Sequence, residues 1–108
     1  MKETSAIKTL SAMAHDGRLS LLRKLIQAGA DGVGAGELAD RAGIGKTTAS
    51  AQLLVLSNSG LVRSERNGRY ITYFANYTHL RELMEFLLFD CCAGHNEVCC
   101  ITEKSVQA

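Results

Sequence analysis

The 108-residue chain has no proline, no low-complexity stretch and no internal repeat. Nothing marks a linker, and the length suits one domain. Residues 1–108 therefore read as a single unit with a cysteine-bearing tail from about residue 91. No apolar run approaches the roughly 18 residues needed to span a bilayer. The N-terminus, Met1-Lys2-Glu3-Thr4-Ser5, carries an acid and leads into an amphipathic pattern, unlike a secretory signal. These absences exclude a membrane partner and imply a cytoplasmic protein, in a compartment that keeps thiols reduced. A strong charge of either sign is missing too: the net charge is +1, so nucleic-acid binding has to rest on local placement of cations. No nucleophile–base arrangement or carboxylate pair suggests an enzyme. Gly43-Ile44-Gly45-Lys46-Thr47 echoes a phosphate-binding loop, but that motif needs glycine five positions before Gly45, where Asp40 stands, and a preceding strand. A small enzyme or phosphate-binding protein built on this segment ranks last among the readings.

Hydrophobic residues at 46% and charged residues at 21% are those of a folded domain. Ile7, Leu10, Met13 and Ala14 fall at helical spacing in Ser5 to Ala14, and Leu19, Leu22, Leu25 and Ile26 do so in Asp16 to Ala28. Asp16 is the expected N-cap of the second segment, and Gly29 its stop. Gly32 to Gly36 reads as a glycine-rich connection. A short helix, Glu37 to Ala42, turns Leu38 and Ala39 inward and ends at Gly43. Lys46 to Ser59 follows, with Ala49, Leu53, Leu54 and Leu56 as its apolar stripe and Gly60 closing it. Leu61 to Arg66 and Arg69 to Phe74 are strand-like runs joined by Asn67-Gly68, the strongest short hairpin signal. Tyr77 to Phe89 carries Leu80, Leu83, Met84, Leu87 and Leu88 on one stripe, widened by Phe86 and Phe89. The predicted fold is mainly α: a winged helix-turn-helix in the order helix, helix, helix, helix, β-hairpin, helix. The last stripe is too broad for one small domain to cover, which implies a homodimer through Ile7, Leu10, Leu80, Leu83 and Leu87 of both copies.

A helix in the major groove presents its N-terminal residues to base edges, and its first N–H groups suit phosphates. Lys46, Thr47, Thr48, Ser50 and Gln52 fill that role here. From residue 46 to 69 the cations Lys46, Arg63, Arg66 and Arg69 face the single acid Glu65, a local charge of +3. Arg66 and Arg69 flank the hairpin tip, where guanidinium groups meet phosphates or the minor groove. A polar helix face or a charged hairpin tip is by itself only solvated surface; both together, in this order, point to a double-stranded DNA operator.

Several of these runs carry a family resemblance. Leu10-Ser11-Ala12-Met13-Ala14-His15-Asp16-Gly17-Arg18-Leu19 resembles the opening of the arsenic-repressor (ArsR/SmtB) family. Gly36-Glu37-Leu38-Ala39, Thr48-Ala49-Ser50 with Leu53 and Leu56, and Ser59-Gly60-Leu61-Val62 resemble its helix-turn-helix. Gly68-Arg69-Tyr70 through Tyr73-Phe74 resembles its wing. The resemblance implies a homodimer joined by its first and last helices, binding a palindromic operator and released by an inducer. Asp16-Gly17 stands where the family often has Pro-Thr, and Ala51-Gln52 where it often has Arg-His, which removes a cation from the reading helix. The family's Cys-x-Cys inducer site is absent, because Val33-Gly34-Ala35-Gly36 holds no cysteine; of its zinc site on the last helix only His79 is available.

What remains is Cys91-Cys92-Ala93-Gly94-His95-Asn96-Glu97-Val98-Cys99-Cys100. The resemblance implies binding of trivalent arsenic or antimony through three thiols, an adjacent pair at the helix end plus a later one. The chemistry agrees. Adjacent helical residues point about 100° apart, so Cys91 and Cys92 serve one centre only where the helix ends, and Gly94 supplies an ending. Three thiolates on trivalent arsenic leave no net charge to bury, and soft thiolates favour soft ions. Cys99 or Cys100 is the third ligand, with Cys99 favoured for its shorter return. The function read from the chain is thus a repressor released by arsenite, with antimonite as a second inducer. A thiol redox or persulfide sensor on the same scaffold is the rival, although reactive thiolates want basic neighbours and these sit beside Asp90 and Glu97. His95 offers a possible fourth ligand for zinc or cadmium; His15 and His79 read as structural or surface residues.

Overall fold

The computed structural model describes residues 1–90. Its helices are α1 (Glu3–Met13), α2 (Asp16–Ala28), α3 (Ala35–Ala42), α4 (Lys46–Asn58) and α5 (Tyr77–Glu85); its strands are β1 (Val33–Gly34), β2 (Val62–Asn67) and β3 (Tyr70–Ala75). A 3-10 turn, Gly29–Asp31, follows α2, and α5 runs on into a π-helical turn, Phe86–Asp90. The expected order of helices and hairpin is the observed one: a winged helix-turn-helix. One strand was not expected. β1 lies inside the glycine-rich connection and pairs with β3 through Val33↔Tyr73 and Gly34↔Thr72, giving an antiparallel sheet of order β1-β3-β2. Two residues are too few to show the alternation that marks a strand.

The core is built from leucines of three helices and the start of the wing. Leu21, Leu22 and Leu25 of α2, Leu38 of α3, Leu53 and Leu56 of α4, and Leu61 are all buried. The α2 stripe is rotated from the one expected: Leu21 points inward, and Leu19 and Ile26 are exposed, because the buried arc is shared between α3 and α4. On α4, Ala49, Leu53 and Leu56 are buried as expected, but Leu54 is 62% exposed. Leu83 of α5, expected on a partner surface, is instead 2% exposed and belongs to the protomer interior.

Helix α1 inverts the usual pattern of large residues inside and small ones outside. Its buried residues are Ala6, Thr9 and Ala12, while Ile7 is 60% and Leu10 41% exposed. Small inward side chains let α1 lie close against α2 and α4. The Thr9 hydroxyl is satisfied by the Ser5 carbonyl at 2.9 Å and by His79 Nε2, also at 2.9 Å, which ties α1 to α5.

Several helix ends are fixed by specific partners. His15, not Asp16, caps α2: its Nδ1 accepts from the Gly17 N–H at 3.1 Å. Asn76 caps α5 by accepting the His79 N–H at 3.2 Å, and the Tyr77 hydroxyl donates to the Ile26 carbonyl at 2.9 Å. α4 ends in a Schellman motif, with the Leu61 N–H bonded to the Leu56 carbonyl and the Gly60 N–H to the Ser57 carbonyl, each at 3.1 Å. Gly60 holds a φ of +90°, and a Cβ there would fall 2.9 Å from His79 Cε1. Gly32 is equally constrained: its φ is +69°, and a Cβ would sit 2.6 Å from Phe74 Cε1.

Gly60→Ala and Gly32→Ala should each destabilise the fold by about 1–3 kcal/mol. Gly36→Ala lies inside α3, where a Cβ meets only the Lys46 stem at 4.0 Å, and should not. Thermal melts check both signs: the first two lower the midpoint by roughly 5 °C or more, the third leaves it unchanged or raises it.

Candidate nucleic-acid interface

The turn between α3 and α4 fixes the start of the reading helix. Gly43 ends α3 in the left-handed region, and the Ile44 N–H returns to the Ala39 carbonyl at 3.0 Å. α4 then begins at Lys46 behind Gly45 with no side-chain cap, which leaves its first N–H groups outward in the arrangement that suits an anion. A helix, not a strand, precedes this glycine turn, so it is no phosphate-binding loop.

Lys46, Thr47, Thr48 and Ser50 are exposed on α4, as a reading face requires. Gln52 is placed differently. It is half-buried, and its Oε1 accepts a hydrogen bond from Arg18 Nη1 at 3.0 Å. Arg18 also donates through Nε to the Ala12 carbonyl at 2.6 Å. One guanidinium therefore joins the end of α1 to the middle of α4 and holds the Gln52 amide in one orientation. Sequence reasoning missed this role, because an arginine early in an amphipathic helix carries no signal of a partner 34 residues away.

The wing is the β2–β3 hairpin. Its register pairs Asn67 with Tyr70, so the two-residue loop is Gly68-Arg69, one residue later than expected. Arg69 stands in the loop itself, and Arg66 lies one residue before Asn67, opposite Ile71. Neither has an ion-pair partner among the described residues. Arg63 is engaged: it bonds Glu65 at 3.0 Å, and its guanidinium lies 4.2 Å over the Phe74 ring. Tyr70, at the tip, is 80% exposed. A groove of about 500 Å³, lined among others by Gly36, Glu37, Arg69 and Tyr70, separates the wing from the start of α3.

Cys91, Cys92, Cys99 and Cys100, and with them His95, lie outside the described residues. Among the described residues no group of three His, Cys, Asp or Glu side chains is placed to hold a metal ion. His15 and His79 are the cap and the interhelical contact described above.

No family model matches the chain. Over 81 residues it is 35% identical to the HTH-type transcriptional regulator NmtR of Mycobacterium tuberculosis (strain ATCC 25618 / H37Rv), covering 75% of this chain. The match spans 65% of that relative's length. Among solved structures, the fold is similar to the homodimeric winged helix-turn-helix domain Mb0332 of Mycobacterium bovis, described as a possible ArsR-family transcriptional regulator. The TM-score is 0.65 and the identity 26%, over 85% of each chain. It is also similar to the AntR antimony-specific transcriptional repressor, with a TM-score of 0.61 and 27% identity over 94% of this chain and 80% of that one.

The pairing of the arginines sets an order for their effects on any duplex the protein binds. Arg66→Ala and Arg69→Ala should each lower the salt slope of binding by about one unit. Arg63→Ala, already neutralised by Glu65, should lower it much less. Anisotropy titrations across a range of salt concentrations check the order, and equal effects from all three would place phosphate contact elsewhere.

Proposed function

The chain belongs to the arsenic-repressor (ArsR) family of winged-helix transcriptional regulators, and from that premise we propose that it is a homodimeric, DNA-binding repressor released from its operator by trivalent arsenic or antimony. The observation that carries the DNA-binding part is the exposed alcohol-rich face of α4 beside a wing whose two outermost arginines have no ion-pair partner among the described residues. Alcohols and outward N–H groups suit phosphates and base edges, and unpaired guanidinium groups suit a polyanion.

The inducer part rests on donor chemistry. Four thiols lie between residues 91 and 100, just beyond the π-helical end of α5. Cys91, Cys92 and Cys99 form a three-sulfur set that fits a trivalent metalloid and leaves the bound centre uncharged, with Cys100 the alternative third ligand. The likeness to an antimony-specific repressor supports this reading. Closing the tail on such a centre tilts the end of α5. A coupling of about 1–3 kcal/mol between that tilt and the operator site is enough to weaken DNA binding roughly 5- to 150-fold.

The dimer rests on the inverted face of α1. Ile7 and Leu10 are exposed there, and Met84 is 52% exposed on α5. With Leu83 inside the protomer, the partner surface centres on Ile7 and Leu10, with half-buried Leu80 and Leu87 at its edge. The likeness to the homodimeric Mycobacterium bovis domain supports a dimer as such.

Two outcomes follow. Cys91→Ser or Cys92→Ser should abolish arsenite-driven release in a gel-shift titration kept reduced, leaving DNA binding intact, and Cys100→Ser should be nearly silent. Release by peroxide and not by arsenite, antimonite or zinc would favour the thiol redox reading instead. Sedimentation at micromolar concentration should give a dimer for the native chain and a monomer for Leu10→Asp; a native monomer would remove the basis for a two-fold operator.

A further inference from the structure

The outward face of α4 carries an apolar stripe among its alcohols. Ala49, Leu53 and Leu56 are buried. Turning the helix half-way round from them brings Thr47, Ala51 and Leu54 to the surface at i, i+4 and i+7, one continuous stripe. All three are exposed, Leu54 at 62%. Thr48 and Ser50 flank the stripe, and Lys46 stands at its head. The centre of the face therefore offers the Thr47 γ-methyl, the Ala51 β-methyl and the Leu54 isobutyl group, with the Thr47 hydroxyl at its head and those of Thr48 and Ser50 at its margins.

We infer that α4 reads thymine methyl groups in the major groove through Thr47, Ala51 and Leu54. This rests on the reading of the chain as a DNA-binding protein and adds what that protein recognises. In the major groove thymine alone presents a methyl group, and small apolar side chains or a threonine methyl are its natural contacts. Hydrogen-bond readout of guanine uses a bidentate arginine or lysine, and of adenine an asparagine or glutamine. Thr47, Ala51 and Leu54 themselves offer none of these; Lys46 and Asn58 stand at the two ends of the face, and Gln52 is half-buried with its amide oxygen bonded to Arg18. At about 1.5 Å per residue the stripe is roughly 10 Å long, matching about three steps of roughly 3.4 Å along a duplex strand. Charge decides between DNA and a protein as the occupant. The apolar strip is narrow, widened only by Val55 beside Leu54, and is bordered by Lys46, Thr48 and Ser50; on the neighbouring wing Arg66 and Arg69 have no ion-pair partner among the described residues. A stable protein partner needs about 800 Å² on each side, with an apolar centre; this face is narrow and cationic at its borders.

The test uses the full-length protein and a duplex it selects from a random pool. Each thymine of the selected half-site is replaced in turn by deoxyuridine, which removes the methyl and keeps every pairing group. Binding should weaken about fourfold at each contacted thymine, the value of one buried methyl. The sensitive positions should fall within a block of three or four consecutive base pairs. Thr47→Ser, which deletes one methyl, should erase the effect at one end of the block. Leu54→Lys should erase it at the other while steepening the salt dependence. Equal affinity for thymine and deoxyuridine duplexes at every position would overturn the inference and leave DNA binding standing. So would a deoxyuridine effect that survives unchanged in both variants. Failure of the pool to yield any bound sequence would instead overturn the DNA-binding reading itself.

Discussion

The last turn of α4 is the joint on which the rest of the structure hangs. Within six residues, Leu56 to Leu61, the chain leaves the reading helix, reverses at Gly60 and enters the wing. Each neighbouring element is tied to that turn. Ser59 Oγ bonds the Leu56 carbonyl, the Leu61 carbonyl accepts from the Asn76 N–H at the head of α5, and the His79 ring lies against Gly60. Thr9 of α1 touches His79 and, at 3.5 Å, the Ser59 carbonyl. Any side chain at position 60 would push His79 away and loosen α1, α4, β2 and α5 together. Arg18 is the second tie, holding the middle of α4 to the end of α1.

Much of this architecture was legible in the sequence, for a physical reason: glycine ends helices where φ is positive, and it stands at 29, 43 and 60. Periodicity located the helices between those stops, and Asn67-Gly68 located the hairpin to within one residue. What could not be read was which of two neighbouring apolar residues faces inward. Leu53 and Leu54 are adjacent and chemically identical, and only the arc shared by α2 and α3 buries one and exposes the other. Leu83 went the opposite way, buried while its neighbour Met84 is exposed. His15 as a cap was hidden because Asp16, the commoner capping residue, stands next to it. β1 was hidden because it forms only where β3 offers an edge to pair with.

The candidate interface was legible as a set of residue types and less so as a set of available groups. Sequence assigned Gln52 and Arg63 to the same basic, polar patch as Arg66 and Arg69. Folding gives Gln52 to Arg18, and Arg63 to Glu65 and Phe74, so the patch is smaller and more sharply placed than its composition implies. The apolar centre of the reading face emerged only once α4 was given a rotation about its own axis.

The burial pattern of the wing carries a consequence for its motions. β2 buries only Val62, and β3 buries only Phe74 and Ala75, all at the base of the hairpin. Tyr73 still packs against the core, and Tyr73 and Thr72 still pair with β1; beyond Thr72 the two strands are joined by backbone pairing with almost no side-chain core. Local opening of such a segment exposes little new apolar surface, so its free energy lies far below that of global unfolding. The tip is therefore a cantilever fixed at Thr72, the last residue of β3 held by β1. It can yield to the shape it meets without disturbing α4, and the amides between Glu65 and Thr72 should exchange with solvent long before those of the leucine core.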